Sequence, residues 1–385
     1  MQTLLRTAGF LNTLRKTRNR EDTLPRLLTY IVTYTCNAKC IMCDSWKMTG
    51  KDDLTLAEIE GIFKQLPKMD VVRLTGGEPF VRKDFAQIYA LAQKHLQPFA
   101  FQITTNGFLT DRIVSFLEER DKSVPLYLLI SIDGTRPTHN RIRGKETAWD
   151  TAFKTLQTIA PRKKELNLTL AINQTIVDPD GAAQYKPLHE IIQPMGIEHQ
   201  VVIAYEQSAT YSLERDKEVA PSEDGDYKTW GNFTREQLEE LFRTLEADLG
   251  ELSWKGQLIK RYYLKGIANR LLGQKGNPNP KCVALTAHMR LFPNGDVPVC
   301  QFNSKTVGNF RKENFEEIWY GKEIAGQRDW VRKCSGCWAE CEVLPSALYT
   351  GDIAREAIVP HSSILNEIRK LPARPHVWET VTTPK

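Results

Sequence analysis

Apolar positions in the first half of the chain switch between two periods. Short β-rich runs occupy 28–33, 71–75, 99–104, 126–132, 168–176 and 200–204. Segments of helical period fall between them, near 55–66, 84–95, 110–120, 148–160 and 182–194. The first helix carries its own start signal. Thr55 with Glu58 makes a capping-box pattern, and Leu56, Ile59, Phe63 and Leu66 then recur on one face. Six strands alternating with helices predict a parallel sheet with right-handed crossovers. Such sheets carry their chemistry at the carboxyl ends of the strands.

The flanks follow other patterns. In the lead-in, 1–25, Leu4, Ala8, Leu11 and Leu14 share one helical face, and Arg6, Arg15, Lys16, Arg18 and Arg20 precede the first acid, Glu21. This reads as a helix packed on the main domain, with a weak peripheral contact to a membrane or partner as the alternative. A core over 26–205 is followed by a bridging segment, 206–280. That segment opens with a polar stretch around 222–226, a linker or a loop over the site, and continues as helices at 235–248 and 256–273. A cysteine-bearing domain spans 281–345, and the tail, 346–385, ends rich in proline.

Composition changes this picture little. Hydrophobic residues at 41% and charged residues at 26% are ordinary for a globular chain. A net charge of +5 over 385 residues does not make the concentrated basic face that nucleic acid needs. No apolar run reaches the roughly 18–20 residues of a membrane span, and no secretory signal opens the chain, so a cytoplasmic location is expected.

The eight cysteines carry more. Cys36, Cys40 and Cys43 form one group, and Cys282, Cys300, Cys334, Cys337 and Cys341 another, with no cysteine between them. Outside a secreted context, two groups at ligand spacing predict two metal sites, not disulfides. Three thiolates at C-x3-C-x2-C can hold three irons of a 4Fe–4S cube and leave the fourth open to a chelating ligand. Zinc is the competing reading for either group, and no histidine lies near the first. In the second, Asn294-Gly295 between two β-like runs predicts a hairpin that returns Cys300 towards Cys282.

C-x3-C-x2-C directly after the first strand resembles the signature of the radical S-adenosylmethionine (SAM) superfamily. The resemblance implies a partial (β/α)6 TIM-like barrel, an α/β fold. It implies that the open iron is chelated by SAM, which one electron cleaves to a 5′-deoxyadenosyl radical that takes hydrogen from a substrate. An electron donor such as flavodoxin or ferredoxin is implied too. Met42 takes the hydrophobic position before the third cysteine. Gly76-Gly77-Glu78-Pro79 is similar to the family's GGEP turn, whose carboxylate would hold the SAM ammonium. Asn106 ends the third strand; Ser131 and Asp133 end the fourth, placed for the ribose or carboxylate. Arg143 looks like the arginine that pairs with the SAM carboxylate, with Arg141 as its nearest competitor. Asn173 could reach the ribose, and 201–204 could flank the adenine.

The late group resembles the SPASM or shorter Twitch extension, through Pro293-Asn-Gly-Asp-Val297, Val307-Gly-Asn-Phe310 and Ile318-Trp319. Five late cysteines are too few for two clusters, so one auxiliary 4Fe–4S cluster is expected. Cys282 and Cys300 would be ligands, with two of Cys334, Cys337 and Cys341. The remaining cysteine would be idle or a hydrogen-atom donor. No leader-binding module is evident ahead of the core, so oxidation or rearrangement of a small molecule leads. Modification of a peptide, as by a ribosomal-peptide or sulfatase maturase, is the alternative, and a non-catalytic iron–sulfur or zinc scaffold is the distant one.

Overall fold

The computed structural model describes residues 2–205, 210–216, 219–221, 229–273, 280–358 and 362–371. The polar stretch at 222–226 and the Pro-rich end of the tail lie outside these residues.

The six expected strands form as β1 (Leu27–Ile31), β2 (Val71–Thr75), β3 (Ala100–Thr105), β4 (Leu126–Ser131), β5 (Leu168–Ile176) and β6 (Glu198–Ile203). They pair in parallel, each with its sequence neighbour. Alternate positions such as Val72, Leu74, Phe101, Ile103, Leu128 and Leu170 are buried against the helical layer. The register puts Thr29, Arg73, Gln102 and Tyr127 side by side on the opposite, inner face. The sequence thus builds a sheet that is greasy outside and polar inside.

Helices α1 (Gln2–Arg18), α2 (Leu56–Gln65), α3 (Phe85–Leu96), α4 (Thr110–Glu119), α5 (Arg136–Arg143), α6 (Ala148–Ile159), α7 (Pro179–Ala183) and α8 (Tyr185–Ile192) accompany the core. The capping box starts α2, with Thr55 accepting from the Glu58 amide and Glu58 from the Thr55 amide. The segment expected as one helix at 182–194 is divided into α7 and α8. The short α5 was not foreseen, because its eight residues hold one aliphatic side chain, Ile142. Gly144 ends it at φ +64, where a Cβ would lie 2.3 Å from the Lys39 carbonyl. Helices α9 (Arg235–Ala247) and α10 (Trp254–Leu271) follow, close to the predicted ranges. α1 packs on the protein as expected: Phe10 meets Tyr349 at 5.8 Å between ring centroids, and Arg18 Nε donates to the Thr350 carbonyl at 2.6 Å. Among the described residues no helix is long and apolar enough to cross a membrane.

The late region corrects the hairpin. The Asn294-Gly295 turn is present, with Gly295 at φ +91 and its amide donating to the Phe292 carbonyl. The reversal closes with the Phe292 amide on the Asp296 carbonyl at 2.9 Å and returns Cys300 to the electrostatic reach of Cys282, as expected, but the two runs form no ladder together. β7 (His288–Leu291) joins the main sheet, parallel to β1, giving the open order β6-β5-β4-β3-β2-β1-β7. β8 (Asp296–Pro298) pairs instead with β9 (Thr306–Asn309). The free edge of β1 offers β7 a longer ladder than the three-residue β8 could, and Thr29 Oγ1 adds a 2.9 Å contact to His288 Nε2. The sheet is therefore seven-stranded and not closed. Helices α11 (Phe315–Trp319), α12 (Lys322–Lys333) and α13 (Glu340–Thr350) complete this region.

Candidate active site

The first cysteine group occupies the loop that leaves β1, at the carboxyl end of the sheet. Each thiol receives a donor. The Ala38 amide points at Cys36 Sγ and the Ser45 amide at Cys43 Sγ, both at 3.4 Å. Arg143 Nη1 reaches Cys40 Sγ at 3.6 Å. Asn106 Nδ2 lies 3.9 Å from Cys36 Sγ and donates at 2.7 Å to Asn37 Oδ1. Burial pushes the Cys36 thiol up to about 12 and Cys43 to about 11, the aimed amides opposing it. Thiolates so disfavoured call for a cation.

The turn at 76–79 explains its glycines by contact with this loop. A Cβ on Gly76 would lie 2.5 Å from the Thr33 carbonyl, and one on Gly77 would lie 2.3 Å and 2.4 Å from those of Tyr34 and Thr35. The Gly77 and Glu78 amides donate to Thr33 and Thr35 across the same seam. Pro79 opens a short 3-10 turn. Glu78 is fully buried, and its carboxylate accepts from the Phe80 amide (3.1 Å), the Thr105 hydroxyl (2.7 Å) and the Asn106 amide (2.6 Å). Burial raises its pKa to about 7 against those three bonds. A carboxylate has about four lone-pair sites, so one more donor, such as an ammonium, can still be taken.

Arg143 spends its fork on Asp133, at 2.5 Å and 2.8 Å. Burial alone would push the Asp133 carboxyl up, but Arg143 and His139 hold it at about 2. The Arg143 carbonyl accepts from the Lys39 amide and the Ile142 carbonyl from Ile41, so α5 is stitched to the cysteine loop. Arg141 lies apart, paired with Asp178 at 2.8 Å. Ser131 and Asn173 stand side by side in the β4–β5 register. Met42 packs with Ile142, Val177 and Ala204 in one apolar cluster.

Three members of this site carry no sequence signal of their own: Asn37, His139 and Gln174. Gln174 donates to the Asp133 carbonyl at 3.3 Å and accepts from His199 Nε2 at 2.9 Å.

The second cysteine group surrounds a buried ionic node. Glu342 accepts from Arg290 Nε (2.8 Å) and the Gln301 amide (3.0 Å), and lies 3.2 Å from His288 Nδ1. Burial would raise the Glu342 carboxyl, but Arg290 and His288 hold it at about 2. Amides aim at sulfur here too, Asn303 at Cys300 and Gly336 at Cys334, each at 3.4 Å. The segment 210–216 bridges the two groups. Its Thr210 amide donates to the Gln301 carbonyl, Tyr211 packs with Tyr34 and Phe292, and Arg215 sits 4.1 Å over the Tyr34 ring.

The donor sets fit iron–sulfur clusters better than single zinc ions. Zinc–sulfur bonds of about 2.3 Å in a tetrahedron put sulfurs only about 3.8 Å apart. Among the described residues, one trio brings ligand atoms within 4.8 Å of one another, His189 with Asp248 and Glu251, and neither cysteine group does so.

Comparison with known proteins agrees. Residues 30–184 match the radical SAM superfamily, and residues 282–338 the SPASM iron–sulfur cluster-binding domain. The mycofactocin maturase MftC of Mycolicibacterium smegmatis is 33% identical over 313 residues, 78% of this chain and 71% of that one. The chain belongs to the radical SAM superfamily. The Fe-coproporphyrin III synthase of Methanosarcina barkeri is 30% identical over 148 residues, only 37% of this chain and 36% of that protein. The chain therefore aligns with about a third of the length of that relative. Streptococcus suis SuiB bound to S-adenosylmethionine shares the fold, with TM-score 0.54 at 16% identity over 82% of this chain and 73% of that one. Radical SAM membership implies a SAM-binding 4Fe–4S cluster and SAM, and the SPASM domain implies auxiliary iron–sulfur ligation.

Proposed function

We propose that the protein is a peptide-modifying radical SAM enzyme. The observation that carries the peptide reading is the extent of the likeness to a maturase. That match runs for 313 residues, whereas the match to the porphyrin enzyme runs for 148. The small-molecule substrate favoured by the sequence takes second place. The electron donor would be a flavodoxin or ferredoxin, and the compartment the cytoplasm.

When bound, the cluster and SAM supply a 5′-deoxyadenosyl radical that removes hydrogen from a substrate C–H bond. The chain's own residues do the rest. Cys36, Cys40 and Cys43 would hold the cluster. Glu78 takes the SAM ammonium at its remaining lone pair, fixed by Thr105 and the Asn106 amide. Ser131 and Asn173 face the ribose, and Met42 with Ala204 gives the adenine an apolar wall. Arg143 and Asp133 anchor Cys40, so Arg143 serves the cysteine loop first and the SAM carboxylate with its spare N–H groups.

For the auxiliary cluster we assign Cys282, Cys300, Cys334 and Cys337. Cys337 lies in the electrostatic reach of Cys282 and Cys300, and Cys282 in that of Cys334. Cys341 lies instead in the reach of Arg290, Arg73 and Glu340, and its carbonyl accepts from Arg73 Nη1 at 3.1 Å. Four cysteines would leave no open iron, which favours electron transfer or bracing over substrate ligation.

The test is anaerobic reconstitution with iron and sulfide, reduction with dithionite, and measurement of 5′-deoxyadenosine and of iron per chain. Turnover with candidate precursor peptides, read as a mass change in one residue, supports the peptide assignment. A mass change in a metabolite alone would replace it with the small-molecule reading. Zinc in place of iron, with no SAM binding, would return the scaffold.

A further inference from the structure

The hydrogen bonds behind Asp133 continue past His199 towards the surface. Gln174 Nε2 faces two carbonyls, Gly181 at 3.0 Å and Asp133 at 3.3 Å. Carbonyls only accept, so the amide nitrogen points there, and Oε1 takes the proton of His199 Nε2 at 2.9 Å. Burial keeps His199 neutral, which leaves its Nδ1 a bare acceptor. That atom lies 3.4 Å from His189 Nδ1, so the proton of this contact is on His189. The Nε2 of a neutral His189 is then a lone pair. It faces Glu251 Oε2 at 3.0 Å and Asp248 Oδ2 at 3.9 Å. Three acceptors with no donor among them repel unless a cation, proton or metal, sits between them.

His189 lies in the last turn of α8, and the two carboxylates belong to the 3-10 turn Asp248–Glu251 that follows α9. Asp248 is 9% exposed, and its Oδ2 has no hydrogen-bond partner. Lys186 holds the other oxygen, at 3.4 Å, and Lys260 turns its Nζ to the His199 carbonyl at 2.7 Å. The three ligand atoms lie within 4.8 Å of one another. Zinc bonds of about 2.0–2.2 Å in a tetrahedron separate such ligands by about 3.4 Å, a value between the two distances to Nε2. Glu251 is half-exposed, so water can reach the fourth position. We propose that His189, Asp248 and Glu251 form a site for a zinc ion, in addition to the two cysteine groups. A ligating histidine ordinarily gives its other N–H to a fixed acceptor, as His189 does to His199. Bound zinc ties α8 to the turn after α9 and fixes the proton order of the relay that ends on Asp133. A proton on His189 Nε2 is the competing occupant.

The experiment uses the reconstituted holoenzyme, passed over chelating resin, with zinc alone as the probe. Zinc and iron per chain are counted together after dialysis against buffered free zinc, and thermal unfolding is followed with and without the metal. The parent should hold about one zinc beyond its iron. Its Tm should rise with zinc, because a ligand that binds only the folded state stabilises it. Glu251→Gln and His189→Gln should each weaken zinc affinity by roughly tenfold or more and remove most of the Tm rise, with iron per chain unchanged. Glu251 is half-exposed, so its variant keeps the fold. Glu190→Gln, an exposed neighbour on α8, should keep both the zinc and the Tm rise. Zinc uptake undiminished in both ligand variants would place the ion elsewhere and overturn the proposal. So would a holoenzyme that takes up no zinc, in which case a proton on His189 holds the two carboxylates.

Discussion

The two cysteine groups are held by opposite strategies. The early group lies within eight residues of one loop, and its donors are mostly local amides, braced by Arg143 from α5 and the glycine turn after β2. The late group gathers cysteines from three segments spread over 282–341, around the buried Glu342, His288 and Arg290. A local loop can preform its site with little chain-closure entropy. A dispersed site must first be assembled by tertiary structure, and here a buried charge network does it. Damage to the loop should therefore cost chemistry, and damage to the node should cost stability.

The largest effect tests the loop. Changing Cys36, Cys40 and Cys43 together to alanine should abolish 5′-deoxyadenosine formation and remove about half of the iron, while thermal unfolding moves little. A large fall in Tm would show that the loop also carries the fold. Next comes the node. Glu342→Gln strips Arg290 of its counter-charge in a buried place, which should cost about 3–5 kcal/mol. Denaturant unfolding reads the loss, and iron analysis should show the late cluster going first. An unchanged midpoint would mean that the node is dispensable.

A smaller effect probes the seam between turn and loop. Gly77→Ala puts a methyl group against two carbonyls and should cost about 1–3 kcal/mol, with weakened iron retention in the early group alone. The smallest effect comes through His199, at the far end of the Gln174–Asp133 brace. Burial, with the nearby Lys260, holds its pKa well below the usual value, so it stays neutral in the fold. The unfolded chain takes up that proton near pH 6.5. The stability His199 contributes is therefore complete above that pH and is lost as pH falls below it. Between pH 7.5 and 5.5 the parent should lose more stability than His199→Gln. Equal losses would uncouple His199 from the brace.

The contrast also decides what could be read from sequence. Cys36, Cys40 and Cys43 announce themselves because ligand spacing along one loop is a local property. Gly76-Gly77 is visible as a turn, yet its reason, backbone approach by Thr33, Tyr34 and Thr35, exists only once β1 and β2 pair. Glu342, His288 and Arg290 look like scattered polar residues until β7 brings them together. The hairpin expectation failed at the same place, since local turn chemistry at Asn294-Gly295 fixes a reversal but not the partner of either arm. The alternation of strands and helices was legible across the core apart from the short α5 and the break between α7 and α8, because its strand period repeats six times. The choice among Cys334, Cys337 and Cys341 was not, since spacing alone cannot say which sulfurs face one another.

The placement of β7 has a consequence for how the chain is made. β1 is buried along its whole length and hydrogen-bonds β2 on one side and β7 on the other. Translation delivers the second partner only with residues 288–291, long after the six core strands have left the ribosome. Until then the nascent sheet carries an apolar strand with an open row of amides and carbonyls, a template for pairing with other chains. The last third of the protein is thus a seal on the first strand as well as the seat of a second metal group. Stalled or prematurely terminated copies should be those that chaperones meet and that aggregate.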